Sequence, residues 1–365
     1  MSEWREYRLE EVVSLRRGFD LPFRARRPGP YPVLSAGMQA GTHAEARIKG
    51  PGFVVGRATN LGVPTWTDTD YWPLNTTLYA ADFKGNDPRF LYHLFENLNL
   101  SGYDSGSVQP MLNRNYIGGI KIRIPCLHTQ RAIAEVMRAL DDKISGNDGM
   151  IAKSSDLILA LAATGSFTTG LHRIAMLDKR TTTPSSLGEL RVSHFSLPAF
   201  DLGRMPDVGP ASSIRSNKLV IAGPCVLVSK LNPRWPRIWD VIESGPQVSL
   251  ASTEFLVLKP VSCASSVLWA VLSQPSFASS LQSKVAGTSG SHQRVKPDEV
   301  MNTEVIDPAS ITEQRREQIV TLGRIAFERR TESRLLARTR DTLLPLLMSG
   351  KVRVKDAEEV VQGVV

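Results

Sequence analysis

Between residues 129 and 161 the apolar positions fall alternately four and three apart: Ile133, Met137, Leu140, Ile144, Ile151, Ile158 and Leu161, with Asn147 and Ser154 completing the stripe. This heptad spacing predicts a long helix whose seam packs against a second helix, the polar Asn147 and Ser154 weakening the seam while fixing its register. At 1.5 Å per residue the helix would be on the order of 50 Å long, too long for one small domain to cover. A second long helix is expected from about Thr312 to Leu347. Its seam carries Ile319, Leu322, Ala326, Leu336, Leu343 and Leu347, and is broken by Arg329, Ser333 and Arg340. Packing the two helices antiparallel is the simplest way to satisfy both seams.

Away from these helices the pattern changes to short apolar runs bounded by Pro, Gly and Asn. PYPVLSAG, PGFVVGRA, VPTWTD and TTLYAADF read as strands, and Ile120–Ile124 alternates strictly as a half-buried one. One amphipathic helix, Arg89 to Leu98, follows Asp87-Pro88 as cap and first turn. The later half repeats this plan: strands at Cys225–Lys230, Phe255–Lys259 and Glu304–Ile306, and a helix near Val267–Leu272.

Short echoes about half a chain apart point to an internal duplication. Leu9-Glu10-Glu11-Val12 is matched to Leu187-Gly188-Glu189-Leu190, and Gly106-Ser107-Val108-Gln109 to Gly290-Ser291-His292-Gln293. Ile124-Pro125 with Gln130 is matched to Asp307-Pro308 with Gln314, and Phe53-Val54-Val55 to Val226-Leu227-Val228. The expected organisation is a first globular domain at 1–128, a long helix at 129–165 and a linker at 166–184 around Thr181–Ser186. A second domain at 185–310, a second long helix at 311–350 and a tail at 351–365 follow. The fold class is α/β (α+β), with two pseudo-symmetric domains and two long antiparallel coiled-coil helices.

Composition narrows the functional classes. The 365 residues are 42% hydrophobic and 22% charged, as in ordinary folded domains. The longest strongly apolar run, Leu157–Ala163, is too short to span a bilayer, and the first residues lack the layout of a signal peptide, so a cytoplasmic protein without a membrane role is expected. Three scattered cysteines (Cys126, Cys225, Cys263) form neither a disulfide framework nor a metal-ligand spacing, and six histidines show no clustering. A formal charge of +8 suits a polyanionic partner, though a bland basic protein looks the same. The second long helix holds eight arginines against four glutamates between Thr312 and Arg340. Such a run is ordinarily a solvated face.

No G-x-G-x-x-G, Walker A loop or H-E-x-x-H is present. Asn232-Pro233-Arg234-Trp235 departs from the Asn-Pro-Pro-aromatic motif of amino-methyltransferases at its third place. Cys126 and His128 sit too close along the chain to meet as nucleophile and base. No catalytic residue and no metal site is therefore assigned. Candidate DNA contacts are the basic and amide side chains of three loop clusters. The first is Arg16, Arg17, Arg24, Arg26 and Arg27, with a thinner counterpart sought near Arg204, Arg215, Asn217 and Lys218. The second is Arg57 and Asn60, echoed by Lys230, Asn232, Arg234 and Arg237. The third is Ser107, Gln109 and Arg114 (with Asn113), echoed by Ser291, Gln293, Arg294 and Lys296. Arg, Asn and Gln can make bidentate contacts to base edges, and Arg and Lys to phosphates, but solvated loops are rich in the same types.

Taken together, Trp4, Leu9 and Glu11 near the start, a Gly-Ser loop, a strand ending in Pro, a Gln at a helix start and the closing Leu343-Leu344-Pro345-Leu346-Leu347-Met348-Ser349-Gly350-Lys351-Val352 resemble the specificity (S) subunits of type I restriction–modification systems. The resemblance covers essentially the whole chain. Its departures are the extra Gly287-Thr288-Ser289 before the second Gly-Ser loop and the lack of a second Trp equivalent to Trp4. The resemblance implies two target recognition domains, each reading half of a bipartite site in double-stranded DNA, with the helices as spacer. It implies no catalytic residue and no cofactor on this chain. S-adenosylmethionine and adenine N6 chemistry would come from two methyltransferase (M) subunits, and ATP and Mg with translocation and cleavage from restriction (R) subunits. The rival readings are a non-DNA coiled-coil scaffold and a nuclease with an unrecognised active site. DNA binding by the chain, and methylation or cleavage by the chain alone, discriminate among them.

Overall fold

The computed structural model describes residues 4–100, 102–105, 111–284 and 293–364. The chain divides into two compact units, Met1–Ile144 with Leu335–Val365, and Ser145–Arg334.

In the first unit a four-stranded antiparallel sheet runs in the order Ser14–Arg17, Thr77–Asp82, Gly52–Gly56, Pro64–Thr67. Phe53, Val54 and Val55 are wholly buried, as expected for a strand covered on both faces. Helix Pro88–Asn97 lies over this sheet through Phe90, Leu91, Leu94 and Phe95, the Phe95 ring 5.4 Å from that of Phe53. It starts where it does because the Asp87 carboxylate accepts from the Phe90 N–H at 2.8 Å and Pro88 occupies a first-turn position that needs no donor. Strand Arg5–Arg8 pairs antiparallel with Lys121–Ile124 and turns at once into the single helical turn Leu9–Val12, where the Leu9 N–H donates to the Ile120 carbonyl at 2.9 Å.

The first long helix spans Leu127–Ala162 and the second Glu313–Met348. Ile133, Met137 and Leu140 share the first unit's core with Leu336, Leu343 and Leu347, while Ile158 and Ala162 share the second unit's core with Ile319. The early part of one helix thus meets the late part of the other, and they pack antiparallel. Ile144, Ile151, Leu161 and Leu322 of the seam are only partly buried. Asn147 and Ser154 are buried, and the Asn147 amide donates to a Glu332 carboxylate oxygen at 3.0 Å that also accepts from Arg329 at 2.5 Å. The breaks in the two stripes therefore meet as a polar layer, with a charged partner for the buried amide.

Gln130, 2% exposed, ties the first helix to its sheet domain. Its carbonyl oxygen accepts from the Asp87 N–H at 3.0 Å and its amide donates to the Asn86 side chain and the Pro125 carbonyl. Asp141 adds an ionic tie, accepting from Arg89 at 2.6 Å and from Arg340 at 3.1 Å.

The second unit contains the same sheet in the same order: Ala175–Asp178, Phe255–Pro260, Cys225–Ser229, Ile238–Val241. Helix Ser265–Leu272 covers it and is buried along its whole length. Against this helix Gly323 of the second long helix approaches so closely that a Cβ there would stand 2.5 Å from the Ser266 hydroxyl oxygen. Ser266 donates to Asp240 at 2.5 Å, and burial pushes the Asp240 carboxyl up to about 6. A five-stranded sheet absent from the first unit's described residues is built from Thr181–Thr182, Lys218–Ile221, Val248–Ser252, Arg191–Phe195 and Asp207–Pro210.

Four sequence expectations need correction. Residues 166–184 are not a linker: strand Thr168–Gly170 pairs with Glu304–Ile306, the turn Leu171–Ile174 follows, and Ala175–Asp178 is the edge of the main sheet. The Leu171 N–H donates to the Thr303 carbonyl at 3.0 Å, as Leu9 does to Ile120. The counterpart of Leu9–Val12 is therefore Leu171–Ile174, and the Leu187–Leu190 echo is fortuitous, Leu187 ending the turn Pro184–Leu187. Gln314 is exposed and does not repeat the buried bonds of Gln130. The tail contains helix Val354–Gln362, whose Ala357 and Val361 join the first unit's core. Before it Gly350 takes a positive φ of 69°, and a Cβ there would lie 2.7 Å from Trp4 Nε1. Short apolar repeats in Thr- and Ser-rich sequence look like linker; only their pairing partners, more than a hundred residues away for the first of them, identify them as strands.

Candidate nucleic-acid interface

Three arginines from distant parts of the first unit converge. Arg17 ends the strand paired to Thr77–Asp82, opposite Leu78. Arg57 follows the central strand, its N–H donating to the Thr76 carbonyl at 2.9 Å while its own carbonyl accepts from the Leu112 N–H at 2.8 Å. Leu112 is 1% exposed and fixes the segment that leads through Asn113, whose side chain accepts from the Asn115 N–H at 3.0 Å, into helix Arg114–Gly118. Arg17, Arg57 and Arg114 thereby line one recess of 290 Å3 with Leu78, Met111, Leu112 and Asn113, and among the described lining residues there is no carboxylate. A second recess beside it takes in Arg16, Arg114 and Asn115, with Glu10 as its acidic member. Cations held close together without counter-ions raise the local positive potential, which suits an anionic backbone.

The remaining first-unit candidates lie elsewhere. Arg26 donates to the Ala40 carbonyl at 2.5 Å and stands 5.5 Å over the Phe23 ring, and Arg27 pairs with Glu45 at 2.5 Å. Arg24 is exposed in the same loop. Asn60 takes a positive φ of 43° and donates to the Ala36 carbonyl at 3.1 Å, which makes it part of the turn. Ser107, Gln109 and Ser291 lie outside the described residues.

The second unit repeats the backbone of this recess with different side chains. The Lys230 carbonyl accepts from the buried Val295 N–H at 3.1 Å, as Arg57 does from Leu112, and Lys296 precedes helix Pro297–Met301 as Asn113 precedes its own. Gln293 accepts at its carbonyl from the Asn232 N–H at 3.0 Å, and Asn232 has a positive φ of 53°. Arg294 is paired with Glu254 at 3.0 Å and Arg237 with Asp201 at 2.7 Å, which spends part of their charge inside the fold. Arg234 leans on Trp235, 5.7 Å from its ring.

Opposite the central pair, the place of Arg16 is taken by Asp178. Arg16 faces Tyr79 across the ladder and Asp178 faces Val257, the residues bonded in turn to Val54 and Leu227. Hydrogen bonds from Arg180, and then Lys259, hold the Asp178 carboxyl well below the usual carboxylate range. The counterpart of the first arginine cluster is thus Asp178-Lys179, and not the region of Arg204, Arg215, Asn217 and Lys218. Lys218 is buried, donating to Ser216, and burial pulls Arg204 below its ordinary value. Two residues not among the candidate contacts stand out beside the sheets: Arg47, which sequence reasoning passed over, 4.8 Å over the Trp72 ring, and Trp235, read there only as the aromatic of an incomplete Asn-Pro-Pro-aromatic motif, 70% exposed. Among the described residues no group of His, Cys, Asp and Glu could hold a metal ion, and no helix is long and apolar enough to cross a membrane.

Residues 1–153 match the family model described as Type I restriction modification DNA specificity domain. The chain is similar to the crystal structure of a type I restriction–modification system S subunit from M. genitalium, with TM-score 0.64 and 13% identity, covering 95% of this chain and 96% of that one. At that identity the likeness establishes the fold. The HsdS subunit from Thermoanaerobacter tengcongensis aligns at 16% identity over 97% of this chain and 95% of that one, with TM-score 0.30. A structure described as the basis of complex assembly and conformational transition of the type I R-M system aligns at 15% over 97% of each chain, with TM-score 0.33. No curated protein matches the chain significantly.

Proposed function

We propose that this chain, whose residues 1–153 match the type I restriction–modification DNA specificity family, reads one half of a bipartite site in double-stranded DNA with each sheet unit. The long helices set the distance between the halves. The observation that carries this reading is the recess of Arg17, Arg57 and Arg114, assembled from three separate segments within the matched domain, with no acidic side chain among its described lining residues. Guanidinium groups in such a position neutralise phosphates, and their forked geometry serves guanine edges as well. Asn113 and Lys296 are proposed base contacts, and Ser107, Gln109 and Ser291, outside the described residues, remain candidates from the sequence.

The chain acts without catalysis of its own. Two methyltransferase subunits bind the long helices and supply S-adenosylmethionine and adenine N6 transfer; restriction subunits, where the system has them, add ATP- and Mg-dependent cleavage, in the cytoplasm. The proposed module limits are the two sheet units joined by the helix pair. The test is to map methylated adenine genome-wide in cells expressing the methyltransferase subunit with and without this chain. One interrupted sequence methylated only in its presence is the expected result. Methylation that does not depend on the chain, or cleavage by the purified chain alone, would overturn the reading.

A further inference from the structure

The loop from the inner to the edge strand at the far side of each main sheet differs between the units in its aromatic content. In the first unit residues 57–63 carry no aromatic side chain; in the second, residues 230–237 read Lys-Leu-Asn-Pro-Arg-Trp-Pro-Arg and present Trp235 at 70% exposure. A single exposed apolar residue is ordinary on a protein surface, so its setting decides its meaning.

The loop is held rather than loose. The Trp235 N–H donates to the Asn232 carbonyl at 2.9 Å, the Asn232 N–H donates to the Gln293 carbonyl at 3.0 Å, and Leu231 is bridged to Arg294. Asn232 adopts the left-handed region, and prolines at 233 and 236 fix φ on either side of the tip. Nearby Trp239 shows what the core does with an indole. It is 4% exposed and packed among Phe195, Phe200 and Phe255. Trp235 has no such aromatic neighbours among the described residues; its partner is the Arg234 guanidinium, 5.7 Å from the ring.

The surrounding charge explains what the indole faces. The loop grows from Lys230, at the position of Arg57 in the first unit, and is bonded to the segment ending in Lys296. Phosphate-seeking cations would bring this loop against a nucleic-acid duplex, where an aromatic ring on a stiff turn finds base faces. The second unit also lacks the cation at the place of Arg16, where Asp178 stands neutralised by Arg180 and Lys259. Its hold on DNA therefore leans less on phosphate charge.

Resting on the proposed reading of DNA by both units, we propose that Trp235 is a base-stacking wedge: its indole enters the base stack of the half-site read by the second unit and partly unstacks one step. Apolar wedges of this kind open base steps at the cost of some base stacking and recover it in the additional surface brought together.

The experiment uses the full chain with its methyltransferase subunit and the duplex identified by methylation mapping. Binding is measured for wild type, Trp235→Ala and Trp235→Phe across a salt series, with 2-aminopurine placed in turn at each base of both half-sites. Trp235→Ala should weaken binding roughly 5- to 100-fold, the range for loss of one base–aromatic stack. The log–log salt slope should stay unchanged, because no phosphate-binding group is removed. Trp235→Phe should retain most of the affinity. One aminopurine position in a single half-site should brighten with wild type and stay quenched with Trp235→Ala. Unchanged affinity for Trp235→Ala overturns the wedge, as does a loss that alters the salt slope and is not rescued by Phe, which would assign the effect to Arg234. Either result leaves DNA reading intact when wild type still binds the mapped site; failure of wild type to select any site would instead defeat the functional reading itself.

Discussion

The boundary of the second reader can be tested by transplantation. Two chimeras replace residues 4–125 by a second copy of the later reader, one copy starting at residue 167 and the other at 185, both ending at 307. The shorter copy omits Thr168–Gly170, Leu171–Ile174 and Ala175–Asp178. Leu171, Ile174 and Ala175 are 4% exposed or less and belong to the unit's core. Removing a buried Leu or Ile side chain down to Ala costs about 2–5 kcal/mol each, so Leu171 and Ile174 together represent roughly 4–10 kcal/mol. That matches the whole stability of an ordinary domain, about 5–15 kcal/mol. The shorter copy also bares strand Phe255–Pro260 as a sheet edge and leaves Lys259 without Asp178. The expected outcome is a cooperative thermal transition for the copy from 167 and aggregation or a non-cooperative melt for the copy from 185, followed by calorimetry and near-ultraviolet circular dichroism. With the methyltransferase subunit present, the longer chimera should direct methylation to an interrupted palindrome, because two like readers on antiparallel helices present two-fold related surfaces. Equal melting of the two chimeras would refute the claim that the second reader begins near residue 167.

Further tests address charge. Replacing Arg17, Arg57 and Arg114 together by Ala should lower the log–log salt slope of DNA binding by roughly 2–3, at about 0.9 for each phosphate no longer neutralised; an unchanged slope would show that the recess does not face the backbone. Asp141→Asn removes the carboxylate shared by Arg89 and Arg340, whose side chains are 15% and 30% exposed. Urea unfolding should show a loss of about 3 kcal/mol, since the partly buried Arg89 loses its carboxylate and Arg340 keeps only Asp341, and Arg340→Met in the same chain should recover part of it. Asp240, raised to about 6 from an unfolded value of 3.8, contributes stability that is full below about pH 4 and is lost as pH rises through 6. The unfolding free energy of wild type relative to Asp240→Asn should therefore fall across that window, and a difference independent of pH would remove Asp240 as the titrating group.

How the chain's pattern relates to its fold can be judged from particular elements. The long helices were legible because a seam repeats every seven residues, a local property independent of anything distant. Helix Pro88–Asn97 was legible from Asp87-Pro88, and the central strands from uninterrupted Val, Phe and Leu, since burial on both faces leaves its mark residue by residue. The basic character of the loops was equally open to reading.

The match between the two readers was not legible, because strand pairing is long-range. Thr168–Gly170 and Ala175–Asp178 carry little apolar pattern of their own and become strands through Glu304–Ile306 and Phe255–Pro260. The same holds for the candidate site. Nothing local distinguishes Arg17, Arg57 and Arg114, which meet in one recess, from Arg27, Arg237 and Arg294, whose charges are spent on Glu45, Asp201 and Glu254. The sequence by itself determined the long helices, the helix after Asp87-Pro88, the central strands and the excess of positive charge, because those depend on neighbours along the chain. Only the tertiary structure decided which cations gather in one recess, which are spent on carboxylates, and where the second reader begins, because all three depend on which distant segments hydrogen-bond side by side.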